Sequence, residues 1–105
     1  MKFMRLIVMF DLPVKTRKQA KAATAFRNFL LKDGYYMVQY SIYVRICNGQ
    51  DSVETHKNRI KSAIPNDVSI RLLTITEKQY ENIEILLGEK TKYDNNANYE
   101  LISFF

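Results

Sequence analysis

Phe3-Met4-Arg5-Leu6-Ile7-Val8-Met9-Phe10-Asp11, closed by Leu12-Pro13, is the stretch that decides the fold. It is too short for a helix of ordinary length, and it is apolar on both sides of a period-2 pattern. It therefore reads as a buried strand over residues 3–11. Met4, Leu6, Val8 and Phe10 point to one face and Ile7 and Met9 to the other, with Arg5 and Asp11 near the ends. A strand with two apolar faces needs cover on both.

After Pro13 the period becomes helical. From about Lys15 to Lys32, residues Gln19, Ala22, Ala23, Phe26, Phe29 and Leu30 recur at i, i+3, i+4 spacing and predict an inward face. Arg17, Lys21, Asn28 and Lys32 lie opposite, and Asp33-Gly34 is a helix stop. Tyr35 to Cys47 is rich in aromatic and β-branched residues and reads as two strands, about 35–39 and 41–47. The break at Gln39-Tyr40 lacks an Asn-Gly or Asp-Gly pair, so a bulge or a tight bend fits as well as a hairpin. A polar helix over 51–64 follows, with Val53, Ile60 and Ile64 inward, ended by Pro65-Asn66. Val68 to Thr76 is a strand, Thr76-Glu77 opens a short turn through Tyr80, and Ile83 to Leu87 is a further apolar strand.

The order β-α-β-β-α-β with added strands predicts an α+β ferredoxin-like sandwich. Residues 1–89 form that domain. Residues 90–105 form a polar hinge and a C-terminal strand, Leu101-Ile102-Ser103-Phe104-Phe105, placed to swap onto a partner protomer or to dock another protein. Two helices cover one face of the sheet only. A twofold-related copy is the simplest cover for the other, so the chain is expected to be a homodimer.

Composition removes most competing classes. A chain of 105 residues with 47% hydrophobic and 26% charged residues is an ordinary small globular domain. One cysteine, Cys47, allows no internal disulfide and no thiolate zinc site. No apolar run approaches the length of a membrane span, and nothing at Met1 to Arg5 continues into a signal peptide, which points to a cytoplasmic protein. The net charge of +5 is uneven: residues 1–50 hold nine Lys/Arg against Asp11 and Asp33, whereas residues 51–105 hold seven against nine. Such lopsidedness suits a polyanion met by the first half, or simply a solvated basic helix. Arg17, Lys18, Lys21 and Lys32 are the candidate phosphate contacts.

Catalytic candidates are few. His56 is the only histidine, lies in a polar helix without co-ligands, and reads as a surface residue. One His and one Cys leave nucleophilic triads with almost nothing to work with, and no glycine-rich nucleotide loop exists. Asp11 stands apart, because a carboxylate closing an apolar strand must be wet, hydrogen-bonded or bound to a cation. An Asx turn over Asp11-Leu12-Pro13 is one reading. The other is a metal site in which two copies bring two such carboxylates together, a donor set that suits Mg²⁺.

Phe10-Asp11-Leu12-Pro13, Arg17 six residues after the aspartate, and Val38-Gln39-Tyr40-Ser41-Ile42-Tyr43 after Gly34 together resemble a known family. It is the small CRISPR-associated adaptation proteins, the second of the two universal spacer-acquisition proteins, closest in style to those of Cas9-type systems. The resemblance implies a Mg²⁺- or Mn²⁺-dependent endonuclease acting on RNA or double-stranded DNA, with Asp11 as metal ligand and Arg17, Ser41 and Tyr43 linked to activity or nucleic-acid contact. It also implies a dimer that binds duplex DNA and bridges two integrase dimers during CRISPR spacer acquisition. Phe10 replaces a common tyrosine and Val14-Lys15 a commonly acidic pair, departures that bear on hydrolysis more than on scaffolding. A stand-alone toxin-type endoribonuclease of the same fold is the alternative, and a small-molecule sensor lacks the glycine-rich loop it would need.

Overall fold

The computed structural model describes residues 2–88. Strands β1 (Met4–Phe10), β2 (Tyr36–Gln39), β3 (Ile42–Cys47) and β4 (Ile70–Thr76) alternate with helices α1 (Arg17–Lys32), α2 (Gln50–Ala63) and α3 (Glu77–Glu81). The sheet order is β2-β3-β1-β4 and every pairing is antiparallel, the ferredoxin-like arrangement. β1 lies at its centre, as its double-sided apolarity requires.

One face packs beneath α1 and α2. Leu6, Val8 and Phe10 of β1 join Ala23, Phe26 and Leu30 of α1, Val53 and Ile60 of α2, and Tyr43 and Cys47 of β3 in a single core. Each fully buried aliphatic or aromatic side chain there contributes about 1.5–3 kcal/mol. α1 starts at a capping box: Gln19 donates its backbone N–H to Thr16 Oγ1 at 3.0 Å, and the Gln19 side chain accepts from the Thr16 N–H at 3.1 Å. Gln19 thus serves the helix start rather than the inward face. α1 ends at Asp33, and Gly34 takes φ +95°, where a Cβ would come within 3.2 Å of Arg45 Nε.

Asp33, whose backbone N–H caps α1, ties three elements together. Asp33 Oδ2 accepts from His56 Nδ1 at 2.8 Å, Asp33 Oδ1 accepts from Arg59 Nη1 at 2.7 Å, and Arg45 Nε donates to the Asp33 carbonyl at 2.6 Å. Burial alone would push the Asp33 carboxyl up, but the bonds from His56 and Arg59 outweigh it and hold the group below the usual 3.8. His56 is therefore not a surface residue: it is 6% exposed and turned inward beside Val53 and Ile60. A nearby carboxylate satisfies its ring nitrogen, which is why a polar residue occupies an inward helix position.

Among the described residues the opposite face carries only the short helix α3, whose Glu77 and Tyr80 reach Arg5 at one end of it. Ile7 pairs with Val44 and Leu73 in register, and Arg5 with Ile46 and Ile75. Ile7 and Val44 are buried, whereas Ile46 and Leu73 are each nearly half exposed. At one edge Arg5 donates from Nε and Nη2 to the two Glu77 oxygens at 2.7 Å each, contacts the Tyr36 hydroxyl and lies 4.2 Å from the Tyr80 ring centroid.

Residues 83–88 form no strand, contrary to the expectation for Ile83 to Leu87, and Ile85, Leu86 and Leu87 are about four-fifths exposed or more. An apolar β-branched run needs a ladder partner to become a strand, and this segment pairs with neither outer edge of its own sheet. The expected hinge and C-terminal strand at 90–105 lie outside the described residues. Among the described residues no helix is long and apolar enough to cross a membrane.

Candidate functional site

The C-terminal end of β1 is where chemistry-bearing residues gather. Phe10 is the last residue of the strand and buried; Asp11 follows it and is exposed, and Leu12 returns to the core. This in-out-in pattern aims a carboxylate at solvent from the rim of a rigid sheet. The two-residue turn Tyr40-Ser41 between β2 and β3 sits beside it, because the Phe10 N–H donates to the Ser41 carbonyl at 3.2 Å. A bulge between Met37 and Gln39 precedes that turn, as the missing Asn-Gly pair suggests. Ser41 reaches φ +63°, a left-handed conformation uncommon for a serine, and is buried.

Below this rim the Phe10 ring stacks on Tyr43 at 5.6 Å and meets Phe26 edge-on at 5.1 Å. Tyr43 is only 3% exposed, and burial raises its hydroxyl above the usual value, with nearby Arg27 opposing the shift. Tyr43 and Ser41 thus brace the position of Asp11 from beneath and beside it, and neither side chain lies open to a ligand.

Arg27 completes the floor, and the sequence reading passed over it. Its guanidinium carbon lies 5.6 Å from the Phe10 ring centroid and 5.3 Å from that of Tyr40, and Nη2 donates to the Tyr40 hydroxyl at 3.2 Å. Arg27 sits between Phe26 and Phe29 on the flank of the inward face, so a helical wheel gives it no distinguishing mark. Only the fold brings it to Phe10.

The remaining basic candidates divide by position. Arg17 opens α1 and is exposed, as are Lys18 and Lys21. Arg17 and Lys21 line a shallow trough with Ala20, Thr24, Ala25 and Asn28 on the outer side of the helix. Lys32 closes α1, roughly 22 Å from Arg17 at about 1.5 Å per residue, and belongs to the other end of that surface. No acidic residue interrupts α1, so the charge its outer side carries, at Arg17, Lys18, Lys21 and Lys32, is all positive.

At this rim, among the described residues, the candidate metal ligand of one chain is Asp11. Among the described residues no three His, Cys, Asp or Glu side chains cluster as a ligand set. A single solvent-facing carboxylate fits a hydrated hard cation completed by waters and further oxygens, and does not fit a closed protein cage.

Comparison with known proteins shows which family the chain resembles. The family described as CRISPR associated protein Cas2 matches residues 4–83, which span the four strands and three helices of the described residues. A protein from Acidovorax ebreus named CRISPR-associated endoribonuclease Cas2 is 42% identical over 102 residues, covering 97% of this chain and 100% of its own length. Proteins of the same name from Campylobacter jejuni and Ligilactobacillus salivarius are 44% and 43% identical, covering 95% and 90% of this chain and 72% and 93% of their own.

Proposed function

The chain belongs to the CRISPR-associated Cas2 family, and from that premise we propose that it is a homodimeric, metal-dependent endoribonuclease whose reaction centre is Asp11. The observation that carries the proposal is the placement of Asp11: an exposed carboxylate at the end of the central strand, braced by the Phe10–Ser41 backbone bond and by a floor of Phe10, Tyr43 and Phe26. Relatives at 42–44% identity carry the name endoribonuclease. The open sheet face, with Ile46 and Leu73 nearly half exposed around buried Ile7 and Val44, is the surface a second copy covers.

Asp11 from each of two copies would hold Mg²⁺ or Mn²⁺, which supplies charge neutralisation at phosphate and an activated water for phosphodiester hydrolysis. This chain's own residues do the rest. Asp11 is kept in place by main-chain contacts, so its position is set before substrate arrives. Ser41 and Tyr43 support it, and Arg17 at the start of α1 contributes positive charge on the side from which a polyanion approaches.

The experiment is cleavage of a short single-stranded RNA by the wild type and by Asp11→Ala, with and without chelator. Cleavage lost in both refutes nothing and supports the centre; cleavage that survives Asp11→Ala refutes it.

A role in spacer acquisition, in which the dimer binds duplex DNA and bridges integrase dimers, is a second reading favoured by a separate observation. The outer side of α1 is free of acidic residues and offers Arg17, Lys18, Lys21 and Lys32 as sequence-independent phosphate contacts. Duplex binding that falls steeply with salt, and that weakens in Arg17→Glu/Lys21→Glu, is the expected result. Salt-independent binding would contradict it.

A further inference from the structure

Four described arginines bond within the fold, two of them to carboxylates and one to main-chain carbonyls. Arg5 pairs with both oxygens of Glu77, Arg59 with Asp33, and Arg45 with the carbonyls of Asp33 and Ile46. Arg27 differs. Among the described residues it bonds to no carboxylate or carbonyl, its Nε is buried without a hydrogen-bond partner, and the guanidinium lies against the Phe10 ring and the ring and hydroxyl of Tyr40.

A half-buried cation without an anion is a cost to the folded chain, only partly offset by cation–π contact. The rings hold the guanidinium on a helix that is itself packed into the core, so the group is fixed before any ligand binds. One of those rings belongs to Phe10, the residue directly before Asp11. The Nη2–Tyr40 bond lies at the surface while Nε is sealed beneath, so the charge meets solvent through its outer nitrogens. A planar, preorganised fork without an anionic partner, held against the ring that precedes Asp11, is complementary to a phosphate group.

We propose that Arg27 is a substrate-binding residue of the Asp11 site, taking a backbone phosphate of the nucleic acid between its guanidinium and the rim of β1. The inference deepens the nuclease reading and rests on it for the identity of the ligand. It assigns Arg27 a role apart from the outer side of α1: the outer lysines and Arg17 gather polyanion, and Arg27 seats one phosphate next to the carboxylate.

The test uses the full chain and a short single-stranded RNA, with the Asp11→Ala background preventing turnover during binding. Arg27→Met keeps an apolar stem between the two rings and removes the charge, so the variant folds and its Tm does not fall. Binding should weaken about fivefold at 0.1 M salt, and the slope of log K against log salt should become shallower by about 0.7, the share of one single-strand phosphate contact. Arg27→Lys should keep the wild-type slope. An unchanged slope in Arg27→Met overturns the proposal whatever its Tm, and a lowered Tm with unchanged slope assigns Arg27 to structure instead. Absence of RNA binding by the Asp11→Ala protein itself would strike the nuclease reading, whereas normal binding with an unaffected Arg27→Met strikes this inference alone.

Discussion

Removing the Asp33 carboxylate should be among the most damaging single changes outside the apolar core. The Asp33 side chain is 9% exposed and accepts two short bonds, from His56 Nδ1 at 2.8 Å and Arg59 Nη1 at 2.7 Å. Asp33→Ala strands the ring nitrogen of His56, whose own side chain is 8% exposed, and removes the acceptor at the end of α1. An unsatisfied buried donor costs about 1–3 kcal/mol and a broken buried pair about 3–5 kcal/mol. Arg59 is 55% exposed and can return to water, so its bond adds little, which places the total near 3 kcal/mol. For a domain of this size that is a Tm lower by about 12–24 °C. Urea unfolding of Asp33→Ala, His56→Ala and the double variant measures it, and the cycle should return a coupling of about 1–3 kcal/mol. The pH dependence follows from the sign of the shift: the Asp33 carboxyl is held below 3.8 in the folded chain, so its contribution is complete above about pH 4 and fades as the pH falls through the folded value. Asp33→Ala should lack that part of the acid transition. A variant within 0.5 kcal/mol of wild type, or an acid limb identical to it, would refute the reasoning.

Asp11→Ala, an exposed change at the strand end, should abolish RNA cleavage while leaving urea stability within about 0.5 kcal/mol; a destabilised variant would make Asp11 a turn residue instead. Gly34→Ala meets both φ +95° and the Arg45 guanidinium 3.2 Å from the new Cβ, so it should lose more than about 1 kcal/mol by urea unfolding, and a neutral result would contradict the tight approach there. Ser41→Val forces a β-branched residue to φ +63° next to Phe10, and should lower both Tm and cleavage, by at least about 1 kcal/mol in stability. Tm and cleavage that both match the wild type would mean the turn does not brace the site.

The sheet and both main helices were legible because each element's period is unmixed: β1 alternates on two apolar faces and α1 repeats at i, i+3, i+4 around Phe26 and Leu30. What escaped depends on contacts distant in sequence. Asp33 was readable as a helix stop, yet its partners His56 and Arg59 lie on another helix, and a polar residue at an inward position looks like a surface residue until its acceptor is known. Arg27 likewise looks like one more helix cation until Phe10 and Tyr40 arrive beside it. Gln19 fell on the inward stripe, although Thr16-x-x-Gln19 is a capping signature that competes with that reading. Ile83 to Leu87 has strand composition, but composition cannot supply the neighbouring strand a ladder requires. At the site, the position of Asp11 was visible from the strand that it ends, while the bracing by Ser41 and the burial of Tyr43 come from pairing of β3 with β1.

In the proposed reaction two copies join through the sheet face opposite α1 and α2 and bring two Asp11 carboxylates together. Sedimentation of the wild type and Leu73→Glu at micromolar concentration, with RNA cleavage assayed on the same samples, tests it most directly. A cleaving dimer for the wild type and an inactive, folded single chain for Leu73→Glu is the predicted result; a single-chain species that still cleaves RNA in an Asp11-dependent manner would contradict it.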